Sequence, residues 1–193
     1  NEPHVSHYRL AAHLSLALIC LAYLFVLSSE IWPQTWLSKS RFSLPKLSVG
    51  IAACVFLQII FGAFTAGLHA GLMHNTFPDM NGKFLGEGAF ILTPTIMNFL
   101  DNPVAVQFVH RCLAWFITGL VGLYVFKTFK YSKSALQRAS AIFLSCAILV
   151  QFSLGVATLI YSVPISLASM HQAGAVMLFI AALFAVIQNR QTN

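Results

Sequence analysis

Three histidines recur in one setting. His13-Leu-Ser-Leu-Ala17, His110-Arg-Cys-Leu-Ala114 and His171-Gln-Ala-Gly-Ala175 all read His-x3-Ala, each inside a long apolar run. An ionisable side chain in such a run marks a functional site by default. Neutral imidazole is the commonest side-chain metal ligand. Two imidazoles from facing helices can fill both axial positions of a haem iron, and helical bundles hold such groups in their cores. The competing reading has each His bonded to a neighbouring hydroxyl or carbonyl, serving helix packing alone. Zinc fits less well, because no third and fourth ligand appears at matching depth. Non-haem iron lacks the carboxylate of its usual triad. No acidic residue lies mid-span, which gives an ion-coupled transporter little support.

A porphyrin needs room one turn from its ligands. Ala114, Ala175, Gly174, Gly62 and Gly155 are small residues placed to give it. Propionates need cations near the water boundary. Arg111 follows His110 directly, and Arg9 stands one turn before His13. A guanidinium fork pairs with a carboxylate in bidentate fashion. Either arginine could instead snorkel to the headgroups. A second repeat links two further segments: Gln58-Ile-Ile-Phe-Gly62-Ala-Phe-Thr65 and Gln151-Phe-Ser-Leu-Gly155-Val-Ala-Thr158 both read Gln-x3-Gly-x2-Thr.

The elements that must carry these residues follow from composition. The chain has 193 residues, 58% hydrophobic and 8% charged, with a net charge of +6. Mean hydropathy is +0.78. Soluble domains carry about 25% charged residues. This composition excludes a soluble globule, a disordered chain and a coiled coil. It also removes nucleic acid as the reading of the positive charge. The apolar runs are continuous, which excludes a β-barrel. The expected fold class is all-α, a polytopic membrane protein. Spans of about 20 apolar residues fall near residues 10–29, 47–68, 104–126, 139–161 and 165–187. Pro33, Pro45, Pro103 and Pro164 mark ends. The short connection Ser162-Val163-Pro164 forces an antiparallel hairpin. Residues 1–29 read as a helix left over from the four-helix set, its histidine's partner missing upstream, and 30–46 as a linker. Residues 47–193 read as an antiparallel four-helix bundle around a haem, with an outer-face loop near 69–103.

Lys39, Arg41, Lys46, Lys127, Lys130, Lys133, Arg138 and Arg190 fall in the loops and tail on one side of the spans, and the loops on the other side hold only Lys83. The positive side faces the cytoplasm or matrix. All three span histidines then lie at one depth in the outer leaflet, each about 9 Å into its helix at 1.5 Å per residue. In the outer loop, His69 and His74 read as loop residues, and Met73, Met80 and Met97 as packing. The stretch 94–102 reads as a short interfacial helix. Phe84, Phe90 and Phe99 suit a membrane surface, and Trp32, Trp36 and Trp115 read as interfacial or packing aromatics. Cys20, Cys54, Cys112 and Cys146 lie in apolar spans and make no disulfide framework. The chain begins Asn1-Glu2-Pro3 with a span almost at once, and reads as a fragment or a processed product.

Four stretches in one order carry a family resemblance. They are Val5-Ser-His-Tyr-Arg9-Leu-Ala-Ala-His13; Gly62-Ala-Phe-Thr-Ala-Gly67 leading into Asn75-Thr-Phe-Pro78; Asn102-Pro-Val-Ala-Val-Gln107-Phe-Val-His110-Arg111; and His171-Gln172. The chain resembles the haem A synthases. The resemblance implies eight membrane helices in two four-helix halves, of which this chain looks like helices four to eight. It implies that His110 and His171 are the axial ligands of a b-type haem. It implies that His13 is one ligand of the substrate haem, whose other ligand and catalytic carboxylate lie upstream. The implied reaction oxidises the C8 methyl of haem O to a formyl, giving haem A for terminal oxidases. Many bacterial members carry a cysteine pair in the outer loops. This loop has none, which places the chain with the cysteine-free branch and gives no thiol redox step. Asp79 stands where the family has an apolar residue.

The implied setting is a bacterial cytoplasmic membrane or a mitochondrial inner membrane, with the haem site toward the periplasm or intermembrane space. The implied partners are membrane lipid, haem O, a haem O synthase, an electron donor and a second copy of the chain. A piece holding half the substrate site is expected not to turn over alone. The alternative from another class is a b-type membrane electron carrier without chemistry of its own.

Overall fold

The computed structural model describes residues 6–190; Val5 and the Asn1-Glu2-Pro3 start lie outside them. The described chain is helical, and five of its helices are long and apolar enough to cross a membrane. Helix α1 is His7–Ser28. Short 3-10 turns at Ser29–Ile31 and Gln34–Trp36 lead to α2, Pro45–Gly67. The outer loop holds 3-10 turns at Ala70–Leu72 and Thr95–Met97 and a single-turn α3, Asn98–Asp101. Helices α4 (Pro103–Tyr131), α5 (Ala135–Ile160) and α6 (Ile165–Gln188) complete the chain.

The helices overrun the apolar windows. The third span is expected to end near 126, yet α4 continues to Tyr131. The fourth is expected near 139, yet α5 starts at Ala135. Hydropathy finds only the part that crosses hydrocarbon. Lys127 and Lys130 are good helix formers and carry α4 on into the headgroup region. The Ser134 side chain then caps α5 by accepting the Gln137 N–H at 3.4 Å. At the other end of α4, Pro103 takes the first helical position and Asn102 Oδ1 accepts the N–H of Val104 at 2.9 Å. This is the favoured pairing of a side-chain cap with proline at N1.

Helices α2, α4, α5 and α6 form a ring in which α2 packs on α4 and α6, and α5 packs on α4 and α6. Helices α4 and α6 therefore stand at opposite corners. Helix α1 lies outside, against α2 and α6. Packing is uneven along the bundle. Toward the Lys/Arg-rich end, Ile51, Val55, Ile117, Val121, Leu144, Leu178, Ala181 and Ala182 are fully buried in one cluster. Small residues on α6 let its neighbours approach closely, as membrane helices do where hydrophobicity alone gives no drive to associate. Toward the outer end, no residue is buried over 108–116 of α4, 152–160 of α5 or 165–177 of α6.

The Lys/Arg-rich end is closed by a buried polar network that the sequence did not announce. Gln137 Nε2 donates to the carbonyls of Phe42 and Gln188. The Gln188 amide accepts from Ser38 N and donates to the Trp36 carbonyl. Asn189 donates to the Tyr124 hydroxyl at 2.8 Å and accepts from Leu44 N. Residues 36–44 are thus bolted to the helix ends.

Candidate functional site

The loose outer layer holds two copies of one local device. On α2, Gln58 and Gly62 are one turn apart and face α4. Gln58 Nε2 donates to the backbone carbonyl of His110 at 3.0 Å and lies 3.3 Å from the ring Nε2. A Cβ on Gly62 would come within 3.3 Å of the His110 ring. On α5, Gln151 and Gly155 repeat the spacing and face α6. Gln151 Nε2 donates to the His171 carbonyl at 2.9 Å, and a Cβ on Gly155 would come within 2.9 Å of the His171 ring. The glutamine engages the second lone pair of a helical carbonyl, and the glycine leaves a seat for the imidazole. A Cβ on Gly174 would collide with the Gln151 side-chain oxygen, so α6 matches the device with a glycine of its own.

His110 and His171 thus project from opposite corners of the ring, in a layer with few buried neighbours. Each keeps its Nδ1 buried and without a partner; so do the side-chain oxygens of Gln58 and Gln151. Unpaired buried polar atoms are costly, and here they cluster around two potential ligand rings. Ala114 and Ala175 follow the two histidines by one turn, both half-buried. Among the described residues, no three His, Cys, Asp or Glu side chains group as a metal-ion ligand set. The arrangement suits a group that needs two imidazoles and supplies its remaining ligands itself, as a porphyrin does.

The other expected residues are placed as follows. Arg111 faces the outer loop. Its guanidinium donates to the carbonyls of Thr76 (2.9 Å), Asp79 (2.6 Å) and His74 (2.8 Å), and its Nε is buried without a partner. The His74 carbonyl also accepts from Gln107 at 3.0 Å. His69 and His74 lie in the loop, as expected. Loop residue Phe77 stacks on Trp115 of α4 and meets Phe152 of α5 edge-on, closing the groove between those helices. Asp79 is engaged by the Thr76 hydroxyl and the Gly82 amide. These bonds, with the Arg111 charge nearby, hold its carboxyl below its ordinary range. The Lys83 ammonium beside Glu87 does the same to that carboxyl.

His13 and Arg9 lie on the exposed face of α1, apart from the paired device. The α1 histidine that faces inward is His7, which sequence reading passed over. Its Nε2 is 3.1 Å from Asp101, and its backbone and Cβ press on Gly67. Tyr8 donates to the same carboxylate at 2.7 Å. The signal for this contact was the pairing of an outer-end His-Tyr with an outer-loop acid. Gln58 and Gln151 were visible as a repeat but had no role until the carbonyls they hold were seen.

Comparison with known proteins places the chain in a family. The chain is 41% identical over 187 residues to the haem A synthase of Nitrosospira multiformis, covering 95% of this chain and 52% of that protein. It is 42% identical to that of Wolbachia pipientis, covering 95% of this chain and 51% of that protein. The haem A synthase of Flavobacterium psychrophilum is 40% identical, with 92% and 53% covered. The chain spans about half the length of the curated relatives it matches. The family described as cytochrome oxidase assembly protein, COX15-CtaA, matches residues 1–183. This integral membrane protein belongs to the COX15-CtaA family.

Proposed function

We propose that this chain is the C-terminal part of a haem A synthase and that its four-helix bundle, residues 47–193, holds a b-type haem between His110 and His171. The observation that carries this reading is the paired device: two histidines at opposite corners of a loosely packed layer, each gripped at its carbonyl by a glutamine and seated on a glycine. The haem supplies one-electron redox chemistry at its iron when bound. The protein's own residues do the rest. Gln58 and Gln151 fix the turns that carry the two rings. Gly62 and Gly155 set the ring positions, and Ala114 and Ala175 leave room beside them. Arg111 pins the outer loop with two nitrogens and keeps Nε for a propionate. Phe77, Trp115 and Phe152 keep water from the groove between α4 and α5.

Haem O is the substrate, and its C8 methyl is oxidised to the formyl of haem A. His13, with Arg9 one turn before it, supplies one imidazole toward that substrate from the exposed face of α1. The second substrate ligand and the catalytic carboxylate belong to the half that the relatives have and this chain does not span. The haem sites lie toward the periplasmic or intermembrane-space side.

The test is haem extraction from cells that make haem O and lack their own synthase. Expression of this chain with an upstream half from a relative should yield haem A. This chain alone should leave haem O unconverted. Conversion by the chain alone would overturn the division of labour, and no conversion by the joined halves would overturn the assignment.

A further inference from the structure

The end of the bundle opposite the histidines holds a cavity of about 580 Å³ lined by Lys39, Ser40, Arg41, Phe42, Tyr131, Lys133 and Ser134. It sits where α4 ends, α5 begins and the strap before α2 crosses between them. Lys39, Arg41 and Lys133 line it, and among the described residues no carboxylate meets them. Of the acids in the described residues, Asp79, Glu87 and Asp101 lie in the outer loop, and Glu30 pairs with Arg190. The walls are held in place. Ser38 donates to the Ser134 hydroxyl at 2.8 Å, and Gln137 Nε2 donates to the Phe42 carbonyl at 2.9 Å. Phe42 and Tyr131, both in its lining, pack ring to ring at 5.6 Å. The start of the 26-residue α5 adjoins the cavity through its cap, Ser134. Its free amides add partial positive charge.

We propose that this cavity binds the phosphate headgroup of an anionic phospholipid. Unpaired cations, hydroxyls and a helix start converge there on one anion, which is the chemistry a phosphodiester requires. Tyr131 ends the membrane-spanning α4, so the cavity adjoins the apolar spans, where acyl chains would run. Basic pockets between membrane helices on the Lys/Arg-rich side bind such headgroups. The cavity lies about a bundle length from the histidines, so it concerns anchoring and not the haem sites.

The test is native mass spectrometry of the purified chain in neutral detergent, titrated with phosphatidylglycerol or phosphatidylcholine. Phosphatidylglycerol should be retained over phosphatidylcholine. Arg41→Gln should weaken that retention about fivefold, and Lys39→Gln, Arg41→Gln and Lys133→Gln together on the order of a hundredfold. The triple variant Lys46→Gln, Lys127→Gln and Arg190→Gln removes as much charge from the same side. It should change retention less than about twofold. Five of the six residues are exposed and Lys127 is half-buried, and unchanged helix content and elution confirm folding. Equal loss in both triple variants, or no preference for phosphatidylglycerol, would overturn the proposal. Displacement of the lipid by excess inorganic phosphate would assign the cavity to free phosphate instead.

Discussion

Alanine at Gly155 probes the seat of His171 directly. A Cβ there would stand 2.9 Å from the ring Cε1 and 3.5 Å from both ring nitrogens. Carbon atoms in good contact are about 3.5–4.0 Å apart, so the ring or α5 must yield by about 0.6–1.1 Å. Overpacking of this size costs about 1–3 kcal/mol. Alanine also returns about 1 kcal/mol of helix propensity over glycine. The packing cost wins, leaving a net loss of up to about 2 kcal/mol. At Gly62 the same Cβ is 3.3 Å from the His110 ring, and the shortfall is about 0.2–0.7 Å, so the two effects nearly cancel. At Gly50 nothing lies within 4 Å, and only the propensity gain remains. The assay is thermal unfolding in detergent beside haem retention. The expected order of stability is Gly50→Ala, then Gly62→Ala, then Gly155→Ala. Haem retention should fall most for Gly155→Ala, because a ligand displaced by more than about 0.5 Å no longer presents productive geometry. If Gly155→Ala stabilised the protein as Gly50→Ala does, the glycine would not be a seat for the ring.

Other outcomes follow from the same geometry. Gln151→Leu removes the bond to the His171 carbonyl; in membrane proteins such bonds average about 0.6 kcal/mol. It should therefore lower haem retention far more than it lowers the melting temperature, and the reverse pattern would make Gln151 a packing residue only. Arg111→Gln removes a charged donor from three loop carbonyls, and hydrogen bonds to charged groups contribute about 1.5–3 kcal/mol. Amide exchange over residues 74–82 should rise severalfold while exchange in α5 stays unchanged; unaltered loop exchange would show that Arg111 does not pin it. The Asp79 carboxyl is held below its ordinary value of 3.8 by the Thr76 hydroxyl, the Gly82 amide and Arg111. Its contribution to loop order is present above that value and is lost as pH falls through the lower folded one. Exchange in the 76–82 turn should rise on acidification below about pH 4, and Asp79→Asn should abolish that pH dependence. A pH dependence that survives in Asp79→Asn belongs to another group.

The five spans were legible because continuous apolar runs have one structural outcome in a bilayer. Their ends were less so. Lys127, Lys130 and Gln137 are polar by composition yet helical by propensity, and they carry α4 and α5 past the apolar windows. The repeat on α2 and α5 announced that Gln58/Gly62 and Gln151/Gly155 share a task. It could not say which partner each pair faces, because that depends on the order of helices around the ring. The small residues beside the histidines have a specific geometry: a Cβ built on Gly62 or Gly155 would stand 3.3 or 2.9 Å from an imidazole carbon. Arg111 is bonded to loop carbonyls 32–37 positions away in sequence, a contact that no local pattern encodes. The network of Gln137, Gln188 and Asn189 was hidden for the same reason.

The central claim is a bis-histidine haem site across the corners of the bundle. The most direct measurement is the reduced-minus-oxidised visible spectrum of the detergent-purified chain beside His110→Ala and His171→Ala. A low-spin b-type spectrum in the parent, lost or turned high-spin in both variants while His13→Ala leaves it unchanged, is the predicted result. A folded parent that stays colourless when haem is added, or a low-spin spectrum that survives both substitutions, would contradict it.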